Sequence, residues 1–407
     1  MNYFKKRRDN LFGLMLENSI LISFSRYLNK EPIYNDRYDV LRNTYYITGV
    51  IDYGHIVVLI KDKENKEILF IDKDNSNSKF EGEYMSKEEY HNISLIDDIR
   101  DKKDFKIFLD ESVKKYQFLY LDIDDIDLKT GLGMDNILAK KIKASNPNIR
   151  IKTSESLFKR LRCKKDEYEI NNLKEAISIT NKGIESILSH IGPMYEYQLE
   201  SYFDQAVKYN GASSLSFPSI FASGKNSIIL HYDKNDTLMK DGDLLLVDLG
   251  ATKNMYSADI SRTFPVSGKF SKRELLFYNI VLEGQKRVFD AMKPGVTLKQ
   301  LDETLVDFYF NKLKEIGLVK AKEDVSKYYY HSVSHHIGLN CHDIAFDDEP
   351  LEEGAVISNE PGLYIEEENI GIRIEDDILI TKDGAINLSE EIIKDPYEIE
   401  RYIKEHR

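Results

Sequence analysis

Two apolar stretches in the second half of the chain each carry an acid where a core strand would carry Val or Ile. The first is Leu244-Leu245-Leu246-Val247-Asp248-Leu249-Gly250-Ala251, and a second strand is expected over Met255 to Pro265. A turn centred on Lys253-Asn254 would set Asp248 directly opposite Asp259. Directly opposed residues have Cβ atoms about 4.5–5.5 Å apart, where like charges are destabilising. The second stretch begins at Glu360, before Pro361-Gly362-Leu363-Tyr364-Ile365, and returns as Gly371-Ile372-Arg373-Ile374-Glu375-Asp376-Asp377-Ile378. A turn centred in the acidic loop Glu366 to Asn369 sets Glu360 opposite Glu375. Strand alternation then puts Arg373, Glu375 and Asp377 on one face, and Ile372, Ile374 and Ile378 on the other. A single such acid is more simply a solvated strand residue. Two opposed pairs in one chain need cations or shared protons to be tolerated. Oxygen donors with an imidazole suit Mn, Co, Fe or Zn rather than a thiolate-selected metal.

The imidazole has several candidates. His331, His335, His336 and His342 fall in one stretch of a chain with nine histidines. His331 and His335 share a face whether the segment is helical or extended, so spacing alone does not choose between them. His231 follows Ile228-Ile229-Leu230 and is expected to end an apolar strand. Cys341, beside His342, reads as a small buried filler.

The elements that must hold these residues follow from periodicity. Residues 1–160 alternate helix and strand, with strands at Ile56 to Ile60 and Ile68 to Ile71 around a polar turn at Lys61 to Lys66. Asp72 to Glu89 reads as a loop leading into a short helix. A boundary is expected at Leu161 to Lys165. Beyond it Ile170, Leu173, Ile177, Ile184 and Ile187 mark one helical face, with Thr180 in the single gap. Strands are expected over 213–267, helices over 271–292 and 298–316, then strands again. Pro294-Gly295 separates the two helices, and Thr297 with Gln300 has capping-box spacing. Helices then strands, twice, suggests an internally duplicated unit over 161–407.

Composition narrows the class. A chain of 407 residues favours two domains. A net charge of -13 argues against nucleic acid as a partner. No apolar run approaches the roughly 20 residues of a membrane span. Lys5 to Arg8 before Leu11 to Leu16 reads as an amphipathic first helix with an exposed basic start, since Glu17 and Asn18 interrupt a signal-peptide pattern. Two cysteines make no disulfide framework, and the cytoplasm is the expected compartment.

These motifs together resemble the aminopeptidase P and prolidase branch of the pita-bread metallopeptidases. The run Asp248 to Pro265, His331 to His342, Asn359-Glu360-Pro361-Gly362 and Gly371 to Asp377 carry the likeness from about residue 160 onward. Arg42-Asn43-Thr44-Tyr45-Tyr46-Ile47-Thr48-Gly49 resembles part of the N-terminal domain of that branch. The resemblance implies an α+β protein, with a pita-bread catalytic domain over 161–407 behind a smaller α/β domain over 1–160. It implies that Asp259 and Glu375 bridge two metals, that Asp248 completes one, and that His335 with Glu360 completes the other. Manganese is the usual metal of the branch, and members are often dimers or tetramers. His231, His331 and His342 would line the substrate site. Arg373 would bind substrate or orient carboxylates, or form a salt bridge to Asp377. His336 and Ser332-Val333-Ser334 depart from the usual pattern; neither departure removes a ligand, and both would alter the pocket wall.

The activity so implied is removal of the N-terminal residue from peptides with proline in second position. Two metals would lower the pKa of a shared water. Glu360 would serve as general base, and His342 and His231 would stabilise the oxyanion. An Xaa-Pro dipeptidase uses the same ligands. A methionine aminopeptidase generally lacks so large an N-terminal domain. A metal-free binding module on this fold would be expected to have lost ligands.

Overall fold

The computed structural model describes residues 2–25, 41–52, 54–72, 85–123 and 134–407. They form two units, Met1–Leu161 and Arg162–Arg407.

The N-terminal unit is a mixed sheet with helices. Its strands are β1 (Ser19–Phe24), β2 (Ile56–Lys61), β3 (Lys66–Ile71), β4 (Asp98–Asp101), β5 (Phe118–Leu121) and β6 (Arg150–Thr153), ordered β4-β3-β2-β1-β5-β6. β1, β2 and β3 pair antiparallel, while β4, β5 and β6 join in parallel. Its helices are α1 (Tyr3–Leu14), α2 (Arg42–Thr48), α3 (Lys87–Ser94), α4 (Phe105–Lys115), α5 (Met134–Ser145) and α6 (Glu155–Arg162), whose last residue already belongs to the C-terminal unit. The short helix expected after the Asp72 to Glu89 loop is α3, which starts at Lys87, and most of the loop ahead of it lies outside the described residues.

The basic start of α1 is not wholly exposed. Lys6 faces solvent, but Arg7 and Arg8 are buried. Arg8 donates to the carbonyls of Ile47 and Ser94, each at 2.8 Å, and pairs with Glu67 at 3.0 Å. Those carbonyls lie in the last turns of α2 and α3, where helices leave acceptors unsatisfied and favour cations. Hydropathy spacing treats arginine as surface and so misses this.

The C-terminal unit begins with α7 (Glu167–His190), capped by an Asp166–Glu169 capping box, and α8 (Glu196–Tyr209). Leu173, Ile177, Ile184 and Ile187 of α7 are buried as the stripe requires. Burying side chains of this kind contributes about 1.5–3 kcal/mol each. Thr180 fills the gap with a purpose: its hydroxyl donates to Ala176 O and accepts from Ala251 N at 2.8 Å. The helix is thereby tied to the strands that follow. These are β7 (Ser214–Leu215), β8 (Ile220–Ser223), β9 (Leu244–Leu249), β10 (Ala251–Lys253), β11 (Tyr256–Ser257) and β12 (Ile260–Pro265).

Helices α9 (Lys272–Ala291) and α10 (Leu298–Glu315) come next, and Thr297 and Gln300 do form the capping box. Strands β13 (Val356–Asn359), β14 (Gly362–Ile365), β15 (Ile370–Arg373), β16 (Asp376–Ile380) and β17 (Ala385–Asn387) complete the second half. A final helix, α11 (Pro396–His406), was not anticipated. One core runs through both halves, from Ile177 and Phe203 to Tyr309, Ile374 and Ile403. No helix among the described residues is long and apolar enough to cross a membrane.

Candidate metal centre

The first hairpin turns one residue later than expected. Asn254 and Met255 are its central residues, both at positive φ, between the pair Lys253–Tyr256. Ser261, not Asp259, therefore lies opposite Asp248. Asp259 sits diagonally from Asp248, across from Gly250. A Cβ on Gly250 would lie 1.9 Å from Ala258 O, so the strands pinch together beside the acids. Moving the turn by one whole residue preserves the side-chain parity, and Asp248, Asp259 and Ser261 still share a face.

The second hairpin has the expected register. Ser358–Asp377 and Asn359–Asp376 pair on one side, and Gly362–Arg373 on the other. Glu360 and Glu375 fall between these ladders. Their amides leave the hairpin, Glu360 N for Val333 O and Glu375 N for Ser261 O, each at 3.0 Å. The second of these stitches the two hairpins together. Arg262 reinforces the seam from below: fully buried, it donates to Glu375 O at 2.5 Å and pairs with Asp376 at 2.7 Å.

Six side chains converge in this seam. Asp248, Asp259 and Glu375 offer ligand atoms within 4.8 Å of one another, as do His335, Glu360 and Glu375, and Asp259, His335 and His342. Asp259 and Glu375 each belong to two of these groups. His335 Nε2 lies 3.4 Å from Asp259, 3.3 Å from Glu360 and 3.9 Å from Glu375. His342 stacks on His335 with ring centres 3.8 Å apart.

The electrostatics are those of a crowded anionic site. Burial pushes Asp248 up to about 6, against the pull of Arg373. Burial likewise lifts Glu360 to about 7, against His335 and Arg373. Glu375 is raised by burial and then by Asp259 and Glu360. His335 moves the other way. Burial disfavours its charge, but Asp259 and Glu360 overcome that and raise it to about 9.

Two details fit a divalent cation. Asp248 Oδ1 is buried with no hydrogen-bond partner. His335 Nδ1 faces His336 O at 3.2 Å, and a carbonyl can only accept. Nδ1 therefore keeps its proton in either charge state, and an ion that displaces the Nε2 proton would meet a lone pair there. Metal-ligating histidines ordinarily donate their other N–H to such a group.

The remaining histidines differ. His331 Nδ1 donates to Ser332 O at 2.9 Å, so its neutral ring accepts from Tyr364 OH at Nε2, also at 2.9 Å. Burial and then Arg373 hold His331 down near 4, in the neutral form this pattern needs. His336 is buried and bridges Ile357. His231 ends no strand. It follows the 3-10 turn Gly224–Ile228 and is exposed, within electrostatic range of His331 and His342.

Arg373 does not pair with Asp377. It reaches Asp248 at 2.6 Å, Ser261 Oγ at 2.8 Å and Tyr364 OH at 3.2 Å. Asp377 instead accepts from Asp259 N at 3.3 Å. Cys341 is more than filler, because its thiol lies 2.7 Å from Asp259 Oδ2. Tyr364 and Ser261 were overlooked. Strand alternation carried the signal for both, since Tyr364 shares a face with Glu360, and Ser261 with Asp259.

A seam of converging carboxylates with one imidazole nitrogen aimed among them defines a protein built to hold divalent cations. Comparisons with known proteins give the particular family. Metallopeptidase family M24 matches residues 171–382, and the aminopeptidase P N-terminal domain matches residues 4–120. The chain is 30% identical to the Xaa-Pro aminopeptidase of Haemophilus influenzae, over 98% of this chain and 96% of that protein. It is also 30% identical to the Xaa-Pro dipeptidase of Pyrococcus furiosus, over 95% and 98%. A solved Bacillus anthracis structure, assigned as an aminopeptidase P, superposes with a TM-score of 0.95 at 39% identity, covering 100% of this chain and 98% of that one. The chain belongs to metallopeptidase family M24, in its aminopeptidase P branch. The chain is a metal-dependent hydrolase.

Proposed function

We propose that this chain removes the N-terminal residue from peptides with proline in second position. The observation that carries the reading is the convergence of Asp248, Asp259, Glu360, Glu375 and His335 in a chain akin to an Xaa-Pro aminopeptidase over 98% of its length. These five would hold two divalent ions, with Asp259 and Glu375 shared between them. The oxygen-rich donor set suits Mn2+, with Co2+, Fe2+ or Zn2+ as substitutes. When bound, the ions supply Lewis acidity that makes water nucleophilic near neutral pH.

The chain's own residues have separable tasks. Glu360, steadied by Ser358 Oγ at 3.2 Å, would accept the proton and pass it to the departing proline nitrogen. His342 is exposed on one side and stacked on His335 on the other, and this partial desolvation and then His335 lower its pKa. The lowered pKa favours the neutral ring, which would donate an N–H to the carbonyl oxygen, with His231 nearby. Both nitrogens of His331 are engaged. It would fix Tyr364, and Tyr364 would fix Arg373, which holds Asp248 in place. The bond to proline is a tertiary amide, which explains a site devoted to it.

Cleavage of Xaa-Pro, Xaa-Pro-Yaa and longer peptides by the Mn2+-loaded protein tests this. Release of Xaa from the tripeptide and longer substrates is expected. Cleavage restricted to Xaa-Pro would favour the dipeptidase reading that the Pyrococcus furiosus relative supports. No bound metal, together with unchanged activity in Asp259→Asn, would overturn the metal-dependent mechanism.

A further inference from the structure

A buried ion cluster lies behind the histidine loop, and no step of the proposed hydrolysis uses it. Asp343 directly follows His342. Its carboxylate pairs with Arg162 through Oδ1 and with Lys165, 3.3 Å away, through Oδ2. The three side chains are at most 2% exposed. Ion pairs in a dry interior are costly, and apolar residues of the same volume often pack there at no loss of stability.

The position of the cluster indicates its use. The stretch from Ser334 to Asp343 carries both His335 and His342, yet contains no helix and no strand beyond the His336–Ile357 bridge. It folds back on itself: Asp343 N donates to His336 O at 2.7 Å, and Gly338 N to Asn340 O at 3.0 Å. The Asp343 carboxylate fills the inside of this loop. A Cβ on Gly338 would lie 2.2 Å from Asp343 Oδ2 and 3.0 Å from Lys165 Cε. Arg162 and Lys165 come from the segment that opens the C-terminal unit, and Lys165 N is itself anchored on Gly354 O at 2.8 Å.

We propose that Arg162, Lys165 and Asp343 are positioning residues that hold the loop, and with it His335 and His342, in register with the carboxylate seam. This rests on the metal-centre reading above. The segment at the domain boundary thus doubles as a brace for the histidines.

The test uses the full chain, with Mn2+ titrated calorimetrically and kcat and KM measured on an Xaa-Pro-Yaa peptide. Arg162→Met should bind Mn2+ about 10–100-fold more weakly, the range typical for groups that orient metal ligands. At saturating Mn2+ its kcat should fall by a similar factor, with KM moved less than about twofold. Arg162→Lys, which keeps the charge, should recover part of both. An Arg162→Met protein that is folded and keeps Mn2+ affinity and kcat within about twofold of the parent would overturn the proposal. Should Arg162→Met fail to fold, Lys165→Met decides, because it retains the Arg162–Asp343 pair. Several-fold weaker Mn2+ binding supports the brace, and unchanged binding refutes it. Failure of the metal-centre reading would look different: the unsubstituted chain would take up no Mn2+.

Discussion

Arg373→Met should make the stability of the C-terminal unit depend on metal. Arg373 is 4% exposed, and its guanidinium lies 2.6 Å from Asp248 and within electrostatic range of Glu375 and Glu360. Removing one partner of a buried ion pair typically costs about 3–5 kcal/mol, because the other charge is left uncompensated. For a unit of this size each kcal/mol moves the melting point by about 2–4 °C. The chelator-treated variant should therefore melt about 6–20 °C below the parent. With Mn2+ in excess, the ion becomes a second counter-charge for Asp248, and the difference should shrink by at least about half. Calorimetric scans of parent and variant, each with chelator and with Mn2+, measure all four melting points. Equal losses in both conditions would refute the reasoning, since Arg373 would then be acting through packing alone. So would a chelator-treated loss below about 2 °C.

Two further outcomes follow from the geometry. In Gly371→Ala the new Cβ would lie 2.0 Å from Ser227 O, a backbone atom that no rotamer change can move aside. The variant should lose about 3 kcal/mol in urea unfolding and lose activity as well, because β15 also carries Arg373; parental values for both would show that the contact relaxes freely. In the N-terminal unit, burial holds folded His55 near 4, whereas the unfolded ring takes its proton near 6.5. Its contribution is complete above about pH 6.5 and is lost as pH falls toward 4, by up to about 1.4 kcal/mol per pH unit. His55→Asn should flatten the pH dependence of that unit's urea transition between pH 7 and 4, and an unchanged slope would assign the acid sensitivity to other groups.

What could be read from the sequence divides along physical lines. Face and parity came through. Apolar runs mark strands, an acid within one marks an inward carboxylate, and alternation placed Glu375 and Arg373 on one side. The exact partner across the first hairpin did not, because it depends on which residues take positive φ. Asn254 is a common choice for that, and Met255 is not. The choice among His331, His335 and His336 also escaped the sequence. It depends on what Nε2 meets, Tyr364 OH for His331 and carboxylates for His335, and those contacts come from an irregular loop without periodicity. Arginine was the other blind spot. Arg8 and Arg262 are fully buried because each finds backbone carbonyls and an acid, partners that composition cannot foresee.

The turn at Asn254-Met255 limits how this chain can vary in length. Met255 takes positive φ at a steric cost of roughly 1–2 kcal/mol, and its burial at 1% exposure offsets that. Side chains alternate with a period of two, so inserting or deleting a single residue here would turn Asp259 and Ser261 away from Asp248. The exposed connection at Glu366 to Glu368 is under no such restraint from burial. Natural length changes that preserve the site should therefore leave this two-residue turn intact, and two-residue changes should be tolerated there better than one.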